Sequence, residues 1–208
     1  MKVIPFVYDS YDDLISNTYL LIDSKNQCVV IDPGCAYQGI VNFIKKNNLI
    51  PKAILLTHGH FDHMRGIDII EKEYPIPLFV GYKDLDNLKD FSLNCSEDFE
   101  EGTVEVKTPG IGVDEKTTID LLEEAISVIE TPFHTPGSVC FYLKDSAMLF
   151  SGDTLFKRGI GRTDLKGGNP RYVYPSLRKL FSLSPEVKVY PGHGPMTTIG
   201  NEQMLKYL

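Results

Sequence analysis

The stretch Ala53-Ile-Leu-Leu-Thr-His-Gly-His-Phe-Asp-His63 decides the architecture. Its first half is a short apolar run, and three histidines and an aspartate follow at once. A strand running straight into a polar, glycine-containing loop is how layered α/β folds carry chemistry, because strands give a rigid frame and the loops at their ends hold the reactive groups. The chain has five histidines in all, and the other two, His134 and His193, also stand after apolar runs. Asp153, in Ser151-Gly-Asp-Thr154, follows a fourth run. The segments 53–57, 126–131, 147–151 and 186–190 thus each read as a strand ending in a candidate ligand. Such ligands meet if the strand ends lie along one edge of packed sheets.

Around this stretch, apolar runs alternate with helical patterns. Tyr19–Ile22 and Cys28–Ile31 read as strands, and Ile40–Lys46 as an amphipathic helix with Ile40, Phe43 and Ile44 on one face. Met64–Glu73 reads as a helix ended by Pro75, and Phe79-Val80 as a short strand. Tyr82–Glu101 is polar, helical at first and then loop. Val104–Val106, Ile119–Leu122 and Ile126–Glu130 read as strands, with Pro109-Gly-Ile-Gly112 a turn-rich break between the first two. Phe141–Leu143, Met148–Phe150 and Val187–Tyr190 complete the strands, with a helix over 172–181 before the last.

The candidate ligands are His58, His60, Asp62, His63, His134, Asp153 and His193: nitrogen and oxygen donors without a thiolate, and seven are too many for one ion. In an extended segment alternate side chains share a face, so His58 and His60 can hold one ion while the next turn carries Asp62 and His63 toward a second. His134 would complete the first set, His193 would join the second, and Asp153 would bridge. Imidazole and carboxylate suit zinc, iron and manganese, with zinc the first expectation. A metal lowers the pKa of bound water from 15.7 to about 7 and clamps a developing oxyanion, which makes the set hydrolytic equipment. Asp62 and Asp153 are the expected catalytic carboxylates, working with a metal-bridging hydroxide. Asp32, closing the strand Val29–Ile31, reads equally as an orienting partner for a ligand histidine and as a turn residue before Pro33-Gly34.

At 208 residues, with 42% hydrophobic and 24% charged residues, the chain reads as one globular domain over 1–208. The N-terminus lacks a continuous apolar stretch and meets Asp9, Asp12 and Asp13 early, so no signal peptide is expected, and the expected location is cytoplasmic. A net charge of -7 argues against a nucleic-acid partner. The four cysteines form no C-x-x-C pair, so reduced, packed thiols are expected, Cys35 included.

The run of motifs resembles the metallo-β-lactamase-fold superfamily, and within it the short glyoxalase II-like (hydroxyacylglutathione hydrolase-like) hydrolases. The matching pieces are Asn17–Leu20, Ile31–Gly34, Leu56–His63, His134–Ser138, Ser151–Phe156, Gly161–Asp164 and Tyr190–Pro195 followed by Thr198-Ile-Gly200. The resemblance implies a four-layer αββα sandwich. It also implies His58, His60 and His134 on one metal, Asp62, His63 and His193 on the other, and Asp153 bridging. The implied reaction is hydrolysis of S-D-lactoylglutathione to D-lactate and glutathione, the partner being a small-molecule thioester. A thiolate, with a pKa of about 8.5, leaves without a strong acid.

Two departures bear on the substrate. The larger enzymes of that branch carry a C-terminal helical domain that helps bind glutathione, and this chain ends 15 residues after His193, so that domain is not expected. Where those enzymes place a lysine and a tyrosine on glutathione, this chain has Arg162 and Asp164. Arg162 could clamp a carboxylate, and Asp164 reads as its salt-bridge partner. Phe133 replaces the usual glycine before the third histidine, either lining the pocket or packing beneath it. Rival readings are a lactonase or a non-glutathione thioesterase, a persulfide dioxygenase using one iron, a phosphodiesterase, a β-lactamase, and a metal-binding protein without turnover.

Overall fold

The computed structural model describes residues 1–6, 15–35, 37–98 and 102–203. Asp9, Asp12 and Asp13, and the end of the stretch Tyr82–Glu101, lie outside them.

Period-two alternation builds the layers. Along β2 (Tyr19–Ile22), β3 (Gln27–Ile31) and β4 (Ile50–Leu56), one set of side chains, Tyr19, Leu21, Val29, Ile31, Ala53 and Leu55, enters a core between two sheets. The alternate set, including Leu20, Val30, Ile54 and Leu56, packs under helices on the outer face. Successive strand residues point to opposite faces, so a strand covered on both sides must be apolar throughout. The first sheet has the order β1 (Lys2–Pro5), β2, β3, β4, β5 (Leu78–Gly81), β6 (Gly110–Val113), and is parallel from β3 onward. The second runs β12 (Thr197–Thr198), β11 (Lys188–Pro191), β10 (Met148–Gly152), β9 (Val139–Leu143), β8 (Ile126–Glu130), β7 (Thr118–Ile119), with β10 and β11 parallel.

Helices α1 (Tyr37–Lys46) and α3 (Ile67–Glu73) cover the first sheet through Ile40, Ile44, Ile67 and Ile70. On the second sheet, α4 (Val173–Leu180) and α5 (Ile199–Glu202) pack Leu177, Leu180 and Ile199 on Leu149 and Val189. The result is the expected αββα sandwich. No helix among the described residues is long and apolar enough to cross a membrane.

Several local expectations are corrected. The turn-rich break at Pro109–Gly112 is instead strand β6, paired in parallel with β5. Its glycines are needed because side chains at Gly110 and Gly112 would crowd Leu85, Leu88 and Tyr82. Val104–Val106 is not a strand: the amide of Val106 donates to the carbonyl of Leu88, turning the valine into the first-sheet core. Only Thr118-Ile119 of the Ile119–Leu122 region pairs. The helix expected over Met64–Glu73 is two, α2 (Phe61–Met64) and α3, because Gly66 lies against Pro33 and Tyr37 and its amide donates to the Pro33 carbonyl at 2.7 Å. Tyr82–Asp84, Asp86–Leu88 and Ser96–Asp98 are short 3₁₀ turns, and β1, β12 and α5 were not anticipated.

One aromatic group ties the sheets together. Tyr19 of the first sheet meets Phe150 and Tyr190 of the second edge-to-face at 5.5 Å, and Phe150 stacks on Tyr190 at 4.9 Å. Phe150→Ala is expected to cost about 3–5 kcal/mol of stability, read as a fall in the urea unfolding midpoint.

Candidate metal centre

The seven candidate ligands converge where the strands end. His58 follows β4, His134 follows β8, Asp153 follows β10 and His193 follows β11. The strand leading to His58 ends at Leu56, His60 is the extended residue before α2, and the first turn of α2 carries Asp62 and His63. The redirection expected after His60 is therefore a helical turn.

Three groups of potential donors form, each with its atoms within 4.8 Å of one another: His58, His60 and His134; His58, His63 and Asp153; and Asp62, His63 and His193. Asp153 is central. Its Oδ1 lies 3.4 Å from His63 Nε2, and its Oδ2 lies 3.4 Å from His134 Nε2 and 3.6 Å from His193 Nε2. Asp62 Oδ2 lies 3.2 Å from His193 Nε2 and 3.4 Å from His63 Nε2. The Nε2 atoms of His58, His60, His63 and His134 and Oδ1 of Asp153 are buried with no hydrogen-bond partner within the chain. Buried polar atoms without partners are costly, and here they all face one small space, so the donor set fits divalent cations.

Several imidazoles are fixed from behind. His63 Nδ1 lies 3.0 Å from Asp32 Oδ2, while Thr57 donates to both oxygens of Asp32, from its amide and its hydroxyl, at 2.7 Å. Asp32 adopts φ 49°, a left-handed conformation that aspartate tolerates better than most residues. Asp32 also sits in a turn, its carbonyl accepting from the amide of Gly34 at 2.7 Å, so its placement has features of both readings. His134 Nδ1 lies 2.8 Å from the Arg162 carbonyl. The loop with His193 is clamped by Asn17, whose side-chain amide donates to the carbonyls of Pro191 and Gly194. A side chain at Gly192 would collide with Asp153 Oδ1.

Burial and charge divide the histidines. Burial drives the His58 pKa well below its ordinary value and pushes His60 down to about 3, so both present neutral nitrogens. Burial also disfavours charge on His63 and His193, but Asp62 and Asp153, with Asp32 at His63, outweigh it and raise both. Burial opposes ionisation of Asp153, yet His193 and His63 hold its pKa well below the carboxylate range.

A cleft of about 280 Å³ opens over the donors. Its wall includes Phe61, Cys95, Phe156, Ile160 and Leu165, with Arg162 at the edge. Arg162 reaches Asp164 with two hydrogen bonds of 2.7 Å, the expected loop salt bridge, and its guanidinium pushes the Asp164 pKa down to about 2. Phe133 is fully buried and is not among the cleft-lining residues. Cys35 is also outside the cleft, its Sγ lying 3.1 Å from the Ser16 carbonyl.

Cys95, read from the sequence only as a packed thiol, lines the cleft, and Asp84 had no reading from the sequence at all. Both lie in the polar stretch whose 3₁₀ turns carry no clear period. Asp84 is fully buried, and a periodic pattern cannot distinguish such an aspartate from a surface one.

The chain matches the family model described as "Metallo-beta-lactamase superfamily" over residues 11–193, and it belongs to that superfamily. Its site and family are those of a metal-dependent hydrolase. It is 39% identical over 189 residues to the "Probable metallo-hydrolase YqgX" of Bacillus subtilis, covering 90% of this chain and 89% of that protein. It is 36% identical over 191 residues to a "Hydroxyacylglutathione hydrolase" of Pectobacterium atrosepticum, covering 91% of this chain but 64% of that enzyme. Among solved structures, the BLEG-1 B3 metallo-beta-lactamase superposes with a TM-score of 0.91 at 34% identity, covering 98% and 97% of the two chains. TTHA1623 in a di-iron-bound form superposes with a TM-score of 0.83 at 34% identity, covering 96% of each.

The division among the histidines has a measurable consequence. Filling the Asp62–His63–His193 group must displace the protons that the aspartates hold on His63 and His193, so its zinc affinity should rise as pH climbs through and above the ordinary histidine range. His58 and His60 are already neutral, so the three-histidine group should respond less. Titration calorimetry of single-site variants in buffers of different ionisation enthalpy measures both proton releases.

Proposed function

We propose that this chain hydrolyses acyl thioesters in the cytoplasm, with S-D-lactoylglutathione the favoured substrate. In this reading His58, His60 and His134 hold one divalent ion, Asp62, His63 and His193 hold a second, and Asp153 lies between. The observation that carries it is the pair of donor groups meeting at one partly buried carboxylate, Asp153, that lines the cleft. Zinc is the first candidate. The di-iron form of TTHA1623 supports iron as an alternative.

Bound ions of this kind supply hydroxide at neutral pH and polarise a carbonyl. The chain's own groups do the rest. Asp62 and Asp153, turned toward the histidine nitrogens, would orient the attacking water. The apolar wall of Phe61, Phe156, Ile160 and Leu165 would exclude bulk water and strengthen the field on the acyl carbon. Water adds to that carbon, the C–S bond breaks, and an acid and a thiol leave. Because the thiolate departs without help from a strong acid, an Asp153 held ionised is suited to the task.

A second reading, opening of a β-lactam, is favoured by the likeness to the B3 metallo-beta-lactamase over nearly its whole length. An amide nitrogen needs a proton to leave, and the central carboxylate is held ionised, so the thioester is preferred. The experiment compares purified, metal-quantified protein on S-D-lactoylglutathione, on a simple thioester lacking the glutathione peptide, and on a chromogenic cephalosporin. Thioester cleavage with an inert cephalosporin is expected; efficient cephalosporin cleavage alone would sink the thioester reading. Asp153→Ala and His60→Ala should each lower metal content and reduce turnover by at least about 10³-fold while preserving the circular dichroism spectrum. Full activity in either variant defeats the mechanism. Arg162→Ala should raise KM for the glutathione thioester with little change in kcat, and an unchanged KM would retire Arg162 as a substrate contact.

A further inference from the structure

Asp84 is a carboxylate with no exposed surface, remote in sequence from every candidate ligand, and among the described residues the three hydrogen bonds that its side chain accepts all come from the two loops that carry the three-histidine group. Its Oδ2 accepts from the amide of Gly59 at 2.9 Å and from the Thr135 hydroxyl at 2.6 Å, and its Oδ1 accepts from the amide of Gly137 at 2.7 Å. Gly59 lies between His58 and His60, and Thr135 follows His134. One side chain therefore joins the loop after β4 to the loop after β8.

The surrounding packing leaves the join little freedom. A side chain at Gly137 would strike the backbone amide and Oδ1 of Asp84, and one at Gly81 would collide with the Gly137 carbonyl. The Thr135 hydroxyl also lies 2.7 Å from Ser138 Oγ, which accepts from the Thr135 amide at 3.0 Å, so the loop is wound tightly about the carboxylate. Nothing equivalent links Asp84 to Asp62, His63 or His193, whose braces among the described contacts are Asp32, Ser16 and Asn17.

We infer that Asp84 is a positioning residue for one half of the centre, holding the His58–His60 loop and the His134 loop at the spacing that lets three imidazoles converge on one ion. This rests on the two-ion reading above. Both oxygens accept and all three partners donate, so an amide in place of the carboxylate must turn an N–H toward a donor. Asp84→Asn therefore loosens the join with almost no change in volume. Loss of a buried group that orients ligands typically weakens metal binding by about 10–100-fold. Here the loss should fall on one donor group only.

The test measures zinc affinity by competition with a chromophoric chelator, in two backgrounds that each keep one donor group. In His193→Ala, which keeps the three-histidine group, Asp84→Asn is expected to weaken zinc binding by about 10–100-fold. In His60→Ala, which keeps Asp62, His63 and His193, the same change should shift affinity by less than about threefold. Thr135→Val removes one arm of the join and leaves the carboxylate in place, so it serves if Asp84→Asn does not fold; its effect should be smaller and confined to the same background. Equal weakening in both backgrounds, or no weakening in the first, overturns the inference while leaving the two-ion reading intact. Failure of the unsubstituted chain to take up zinc overturns that reading and this inference with it.

Discussion

Imidazole rings resist being gathered. His58 lies with its ring centroid 4.2 Å from that of His63 and 4.8 Å from those of His60 and His134, out of water, where like charges cannot coexist cheaply. The arrangement stands because burial keeps some rings neutral while Asp32, Asp62 and Asp153 balance the charge on others. The rest of the architecture serves this constraint. Two sheets covered on both sides provide strand ends stiff enough to aim the rings, and buried carboxylates behind the ligand loops stop them from relaxing apart.

Those supporting carboxylates come from different places and divide the work. Asp32 stands at the end of β3 and braces His63, while Asp84 stands after β5 and reaches both histidine loops of the other group. Each belongs to the first sheet's row of parallel strands, whose carboxyl ends open on the same side. That row gives an economical way to build two neighbouring donor groups, since every added parallel strand delivers one more residue to the same rim.

What could be read in the sequence follows from how local the signal was. The αββα layering was legible because runs such as Tyr19–Ile22 and Met148–Phe150 are apolar at every position, the mark of strands covered on both faces. The donor set was legible because histidine is scarce here and each one follows such a run. The edge strand β6 was misread because Gly110 and Gly112 look like turn residues, and only the neighbouring Tyr82, Leu85 and Leu88 reveal that they make room for side chains. The break between α2 and α3 has the same kind of cause, the tight approach of Gly66 to Pro33. Asp84 gave no local sign, because its three partners are 25 to 53 residues away.

Tyr19 shows how closely the scaffold and the centre are joined. Its ring is part of the aromatic contact between the sheets, and its hydroxyl donates to the carbonyl of Pro191 at 2.7 Å, two residues before His193. The same carbonyl accepts from Asn17. The ring thus acts as a lever with one end in the hydrophobic interior and the other on the loop of a candidate ligand. Any slippage of one sheet across the other is transmitted to His193, so the packing of the sandwich and the tuning of its rim are a single property of the chain.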